Sequence, residues 1–302
     1  RFTERSGKGA MQGILVMDKP AGFTSFDVDA KLRGILGTRK IGHAGTLDPM
    51  ATGVLPVFVG RAAKAVDMLP DTDKTYEATL RLGLRTNTGD ITGQVLETAP
   101  VPAGLDETAL CAVLGRFLGR SMQTPPMYSA VKVGGQPLYK LARKGKTVAR
   151  PARPIVIHTL QLLGREGQTD FRLRIVCGKG TYVRVLLEDI GRALGVPATM
   201  AALRRTAAAG YTEAQAVNFA QVEEAKAQGT LASLMLSVET VFCALPQLTV
   251  DEAAARRLLN GAAVYRCKAA DGRWRLHGPQ GFLGTGCVQG GVLKAEKLFV
   301  ER

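Results

Sequence analysis

Long apolar runs are missing from the chain. The richest stretch, Leu231 to Leu245, contains Glu239 and falls short of the roughly 18–20 apolar residues that a spanning helix needs, so no membrane partner is expected. The first ten residues are basic and polar and lead only into a brief apolar strand, Ile14 to Met17. A secretory apolar region would be longer, and the expected compartment is the cytoplasm. Cysteine is sparse: Cys111, Cys177, Cys243, Cys267 and Cys287 form no C-x-x-C pair, which argues against a disulfide framework or a zinc site. Histidine is rarer still. With only His43, His158 and His277, and no H-E-x-x-H or G-x-S-x-G sequence, hydrolytic chemistry lacks its usual carriers. Gly178 and Gly180 fit neither a Walker A loop nor a dinucleotide fingerprint.

Acidic residues are the other shortage. Against 26 Asp and Glu stand 40 Lys and Arg, a net charge of +14, so the surface attracts polyanions. Between Glu107 and Glu166 no acid occurs at all, and the densest basic part, Leu141 to Pro154, holds Arg143, Lys144, Lys146, Arg150 and Arg153, with Lys132 just before it. Gly145, Pro151 and Pro154 make this an exposed loop or short helix, suited to gripping a phosphate backbone. Tyr128 and Tyr139 interleave with the charges.

The rest is globular in composition, 46% hydrophobic and 22% charged over 302 residues. Strand-like alternation appears at Thr75 to Leu82 and at Phe171 to Cys177. Helical spacing lies between them, at Leu110, Val113, Leu114, Phe117 and Leu118 behind an Asp106 cap, and again from Tyr182 to Leu194. The fold class is therefore mixed α/β. His158 sits in an apolar strand pattern and reads as structural. A polar stretch near 225 and Pro246 mark a boundary, after which one helix pattern (Asp251 to Asn260) and four short glycine-punctuated segments suit a small β-barrel. The expected division is 1–10 as an unmatched extension, 11–245 as a large unit and 246–302 as a small one.

The segment KIGHAGTLDPMATGVLP, Lys40 to Pro56, brackets His43, Thr46 and Asp48 with glycine and proline. Pro49 biases Asp48 toward an extended backbone. Taken alone, an Asp in such a loop is a turn residue more often than a catalytic one.

Five motifs occur in order: DKPAGFTS (Asp18 to Ser25), GTLDPMATGVLP (Gly45 to Pro56), KTYEATLRLG (Lys74 to Gly83), MYSAVK (Met127 to Lys132) and GKGTYVR (Gly178 to Arg184). Together, from about Gly13 to Thr212, they resemble the bacterial TruB-type tRNA pseudouridine synthases, and the tail resembles the PUA-like RNA-binding domain that often follows. The resemblance implies a synthase-type catalytic domain around a mixed, mainly antiparallel sheet. It implies isomerisation of uridine 55 in the tRNA T-loop by base flipping, with no metal or organic cofactor. A monomer without an obligatory protein partner is implied, gripping the T-arm and reaching toward the acceptor end. By motif, Asp48 is the catalytic residue, Tyr76 stacks on the uracil, and Arg184 pairs with the carboxylate. Tyr182 and Leu203 line the pocket, Lys19 supports the tyrosine, and His43 packs where the flipped base has left. A bland reading of Arg184 is a helix-face pair with Glu188; an extended backbone would instead put Tyr182 and Arg184 on one side. Gly178 and Thr206 depart from the commoner residues of that family.

Overall fold

A computed structural model describes residues 11–70 and 73–300; the extension expected at residues 1–10 lies outside them. Alternation builds the central sheet. Along Lys74–Leu82 the side chains of Tyr76, Ala78, Leu80 and Leu82 are buried and Glu77 is exposed. Along Asp170–Cys177 the buried set is Phe171, Leu173, Ile175 and Cys177. Period-two patterning of this kind gives each strand one core face.

The nine-stranded sheet runs in the order Gly13–Lys19, Thr52–Val59, Ala198–Ala208, Lys74–Leu82, Asp170–Cys177, Arg153–Glu166 and Gly119–Gln123, with Ile41–His43 and Tyr211–Thr212 paired beside that path. One junction on the path is parallel, where Thr52 and Gly53 lie against Arg204 and Arg205; the others are antiparallel. Helices cover the sheet. Glu107–Leu114 and Val183–Ala193 bring Leu110, Leu186 and Ile190 against Leu80, Phe171 and Leu173. Ser25–Leu36 and Phe219–Ala227 close over Leu15, Met17 and Val57.

Helix starts follow the sequence. Asp106 accepts from the Ala109 backbone N–H at 2.8 Å, and Thr24 with Asp27 forms a capping box, each worth about 1 kcal/mol. The first expected helix is shorter than its apolar spacing suggests: it ends at Leu114, and Gly115–Phe117 tightens into a 3-10 turn. His158 lies on the Arg153–Glu166 strand but is exposed, its Nε2 3.1 Å from Asp73.

The tail forms a second sheet, ordered Gln247–Thr249, Gly272–Gly278, Gly281–Gln289, Val292–Leu298 and Val264–Tyr265, a curled half-barrel of PUA-like form. Helix Glu252–Leu259 contributes Ala255 and Leu258 to its core. Phe282 and Phe299 stack with centroids 6.0 Å apart, and Phe242 lies 5.6 Å from Phe299. Glu239 receives Arg275 at 2.7 Å and His277 at 2.9 Å. These contacts fasten the half-barrel to the segment that leads into it. Among the described residues, no helix is long and apolar enough to cross a membrane.

Gly53 is where the parallel junction meets the loop bearing Asp48. Its φ is +99°, and a Cβ there would lie 2.2 Å from the Arg205 carbonyl oxygen. Gly53→Ala is therefore expected to cost more than ~2 kcal/mol, read by urea unfolding, and to slow turnover as well. A melt matching the parent would show that the two strands separate freely there.

Candidate active site

The DKPAGFTS segment acts as a clamp on the neighbouring loop. Lys19 is fully buried, and its ammonium donates to the carbonyls of Pro20 at 2.9 Å, Phe23 at 2.5 Å and Pro49 at 3.1 Å. The Gly22 N–H also reaches the Pro49 carbonyl, at 2.9 Å, and Ser25 Oγ accepts from the Leu47 N–H at 2.9 Å. Residues 47 and 49 are thus pinned on both sides of Asp48. Burial pushes the Lys19 ammonium down to about 8, with the negative charge of Asp48 opposing the shift. The resemblance makes Lys19 a support for the tyrosine; the bonds it makes go to the loop.

Asp48 is gripped by a two-pronged pair. Arg184 Nε donates to Asp48 Oδ2 at 2.8 Å and Nη2 to Oδ1 at 3.1 Å. The guanidinium also donates from Nη1 to the Thr88 carbonyl and from Nη2 to the Tyr128 carbonyl, both at 2.7 Å. Arg184 is only 4% exposed, while the Asp48 side chain is 36% exposed. One side of the carboxylate is therefore fixed by charge-assisted bonds and the other stays open. Glu188 is not the partner; it lies 3.7 Å from Arg192.

The backbone at Tyr182 and Arg184 corrects the extended reading. Tyr182 is the extended cap residue of Val183–Ala193, and Arg184 is already helical. The turn is held by Gln123, whose Oε1 accepts the Tyr182 N–H at 2.8 Å and whose Nε2 donates to the Tyr182 carbonyl at 3.1 Å. Sequence reasoning missed Gln123. A lone amide on an edge strand carries no pattern, and its partner is 59 residues away.

Across the ladder, Tyr76 stands opposite Arg205, and Ala78 stands opposite Leu203. With two-residue spacing, Tyr76, Ala78, Leu203 and Arg205 share a face. Tyr76 and Leu203 are each 7% exposed and belong to one cluster with Leu47 and Ala51 of the loop. Burial raises the Tyr76 phenol above its ordinary range, and Asp48 adds to that, while Arg205 opposes it. Burial also pushes the Cys177 thiol up to about 11, so it is no ready nucleophile.

His43 lies at the rim. Its Nδ1 is 2.8 Å from buried Asp29, its Nε2 3.3 Å from Thr46 Oγ1, and Phe26, 67% exposed, meets its ring edge-on at 5.0 Å. Asp29 was also missed, being an acid on an otherwise ordinary helix face. His43, Gly45, Lys74 and Lys179 line a cleft of about 420 Å³. In the basic stretch Lys132, Arg143, Lys144, Lys146 and Arg153 are exposed: Lys132 in the two-residue strand Lys132–Val133, Arg143, Lys144 and Lys146 just after the short helix Leu138–Ala142, and Arg153 at the start of the Arg153–Glu166 strand. Arg150 differs: it is half-buried in a pocket with Gln123 and Arg184. Among the described residues no group of three His, Cys, Asp or Glu could hold a metal ion.

Comparison with known proteins bears on the family. Residues 33–183 match the family model described as TruB family pseudouridylate synthase (N terminal domain). Residues 184–242 match a tRNA pseudouridylate synthase B C-terminal domain, and 246–299 match Pseudouridine synthase II TruB, C-terminal. The tRNA pseudouridine synthase B of Aromatoleum aromaticum is 41% identical over 97% of this chain and 94% of its own length. That of Pseudomonas putida strain F1 is 46% identical over 84% and 83%. A solved structure titled as a Cbf5-Nop10-Gar1 complex superposes with a TM-score of 0.71 at 27% identity, covering 96% of this chain and 85% of that one. The fold and these matches make the protein a pseudouridine synthase, an isomerase. The chain belongs to the TruB family.

Lys19 gives the clamp a pH signature. The native state sheds this proton near pH 8, whereas the unfolded chain holds it to higher pH, so the unfolding free energy gains a slope of at most one proton above pH 8. Urea melts from pH 7 to 9.5 should show stability rising relative to Lys19→Met as pH increases past 8. Parallel pH profiles would mean that the three carbonyls keep the ammonium charged.

Proposed function

We propose that this protein isomerises uridine 55 in the T-loop of tRNA to pseudouridine, acting alone on a flipped nucleotide, with Asp48 as its catalytic residue. The observation that carries this reading is the Asp48–Arg184 pair: an oriented carboxylate, open on one side, beside a face that offers an aromatic ring and an apolar wall. The names of the curated relatives supply the RNA class. C1′ and C5 of a stacked uridine are out of reach of a side chain, so the base must leave the helix.

In this account Asp48 acts on the flipped nucleoside while the N1–C1′ bond breaks, the uracil turns, and C5 bonds to C1′. Arg184 grips both carboxylate oxygens and keeps them aimed. Tyr76 stacks on the uracil and accepts the proton that C5 releases. Leu203 and Tyr182 complete the pocket wall, Lys19 holds the loop, and His43, braced by Asp29, fills the space the base vacates. Lys132, Arg143, Lys144, Lys146, Arg150 and Arg153 would contact the T-arm backbone, and the half-barrel that follows Pro246 would reach the acceptor end. Residues 11–245 form the catalytic unit. A second reading, a catalytic subunit within a larger particle, takes its support from the Cbf5 likeness; the higher identity to the tRNA enzymes favours a stand-alone protein.

Tritium release tests this directly, because bonding at C5 expels the hydrogen there. Purified chain with an unmodified transcript carrying tritium at C5 of its uridines should release one equivalent per tRNA. A uridine 55 to cytidine transcript should release none, and Asp48→Asn should bind tRNA and release none. Release that survives the change at position 55 would assign another site, and release by Asp48→Asn would remove the aspartate from the chemistry.

The basic stretch makes a separate prediction. Lys144→Ala with Lys146→Ala should weaken tRNA binding and flatten the plot of log affinity against log salt by roughly one to two counterions. An unchanged slope would take this loop out of the interface.

A further inference from the structure

Arg205 is the largest fully buried side chain described, and nothing in the account above uses it. Its Nε donates to the Val54 carbonyl at 2.8 Å and its Nη2 to the Gly45 carbonyl at 2.7 Å. The remaining nitrogen, Nη1, is enclosed without a well-aligned acceptor, and the Tyr76 phenol is the side chain with which the guanidinium interacts. A buried cation with an idle donor and no carboxylate among its partners works against folding. Something else must employ the charge.

The surroundings show what that is. Arg205 stands opposite Tyr76 in the antiparallel ladder, on the same face. It is also tied to the catalytic loop, since Gly45 precedes Asp48 by three residues and accepts one of its donors. Gly45 has a φ of +71°, and a Cβ on it would lie 3.2 Å from the idle Nη1, so the loop glycine leaves room for the guanidinium. The titratable groups facing the Tyr76 phenol are Asp48 from the loop, Cys177 from the Asp170–Cys177 strand, and Arg205 from the Ala198–Ala208 strand. Burial, the largest influence, opposes a negative phenolate, and Cys177 and Asp48 add to that; Arg205 is the group among them that favours it.

We propose that Arg205 is the positioning residue of Tyr76: its Nη1, which has no other acceptor, holds the phenol oxygen at the flipped uracil and sustains the phenolate form that removes the C5 proton. This rests on the role given to Tyr76 above. The phenolic proton leaves to solvent. Once C5 has bonded to C1′, the C5–H bond breaks and the proton passes to the phenolate oxygen; its electron pair re-forms the C5–C6 double bond while the C6–N1 π pair returns to N1, which takes up a proton from solvent. A donor supplied by the strand that also pairs with Thr52 and Gly53 links this step to the loop that carries Asp48.

The test is a double-mutant cycle read by single-turnover tritium release at saturating tRNA, using Arg205→Gln, Arg205→Lys and Tyr76→Phe, with tRNA binding and melting temperature as controls. Arg205→Gln should slow release about 100-fold in the parent, within the range for assisted proton transfer. In the Tyr76→Phe background it should slow release less than about threefold, because coupled residues are not additive. Arg205→Lys should recover part of the rate, and the rise of rate with pH should move to higher pH in Arg205→Gln. Equal slowing in both backgrounds, with an unmoved pH profile, would overturn the proposal and leave Arg205 structural. If Arg205→Gln does not fold, the same comparison with Arg205→Lys decides. Full activity of Tyr76→Phe alone would instead overturn the role of the tyrosine, and this inference with it, leaving Asp48 untouched.

Discussion

A guanidinium shut away from water must have its N–H groups met by acceptors, and for Arg184 those acceptors come from three separate parts of the chain. Asp48 supplies its carboxylate, and the Thr88 and Tyr128 backbones supply carbonyls. The requirement ties the loop bearing Asp48, the turn after residue 86, and the segment leading into the basic stretch to the first turn of helix Val183–Ala193. If the guanidinium were withdrawn, a carboxylate and two carbonyls would lose their donors together, and leaving such groups unpaired costs far more than any one bond contributes. The site is therefore fixed by mutual satisfaction as much as by packing. Lys19 repeats the device on the opposite side of the loop, holding three carbonyls from a fully buried position.

The sheet explains why these groups meet. Its single parallel junction places the start of the Thr52–Val59 strand against Arg204 and Arg205, and the antiparallel neighbour of those residues carries Tyr76. The loop with Asp48 and the tyrosine thus approach one another across one strand. On the proposed reading, the exposed cations of the basic stretch would serve a different end, attraction of the polyanion.

Much of this was legible in the sequence, and for physical reasons. Period-two burial at Tyr76, Ala78 and Leu80 follows from a strand with one core face, and Asp106 caps a helix because its side chain fits the first free N–H groups. The tail was legible through its glycine punctuation. Asp48 and Arg184 were legible only through ordered motifs, since a Gly/Pro loop aspartate and a helix arginine have common local roles. The bland pairing of Arg184 with Glu188 failed because i, i+4 spacing describes only the helix surface, whereas the first turn points inward. Gln123, Asp29 and Arg205 were not legible as site residues. Their roles come from partners that are far away in sequence.

The central claim is that an aimed carboxylate, and not merely a nearby positive charge, makes this site work. Arg184→Lys tests it most directly: the substitution keeps the cation but removes the planar fork that grips both oxygens of Asp48. Single-turnover tritium release should fall by about 10²-fold or more, while tRNA binding stays within about twofold of the parent. A rate near that of the parent would show that charge alone suffices, and would contradict the account.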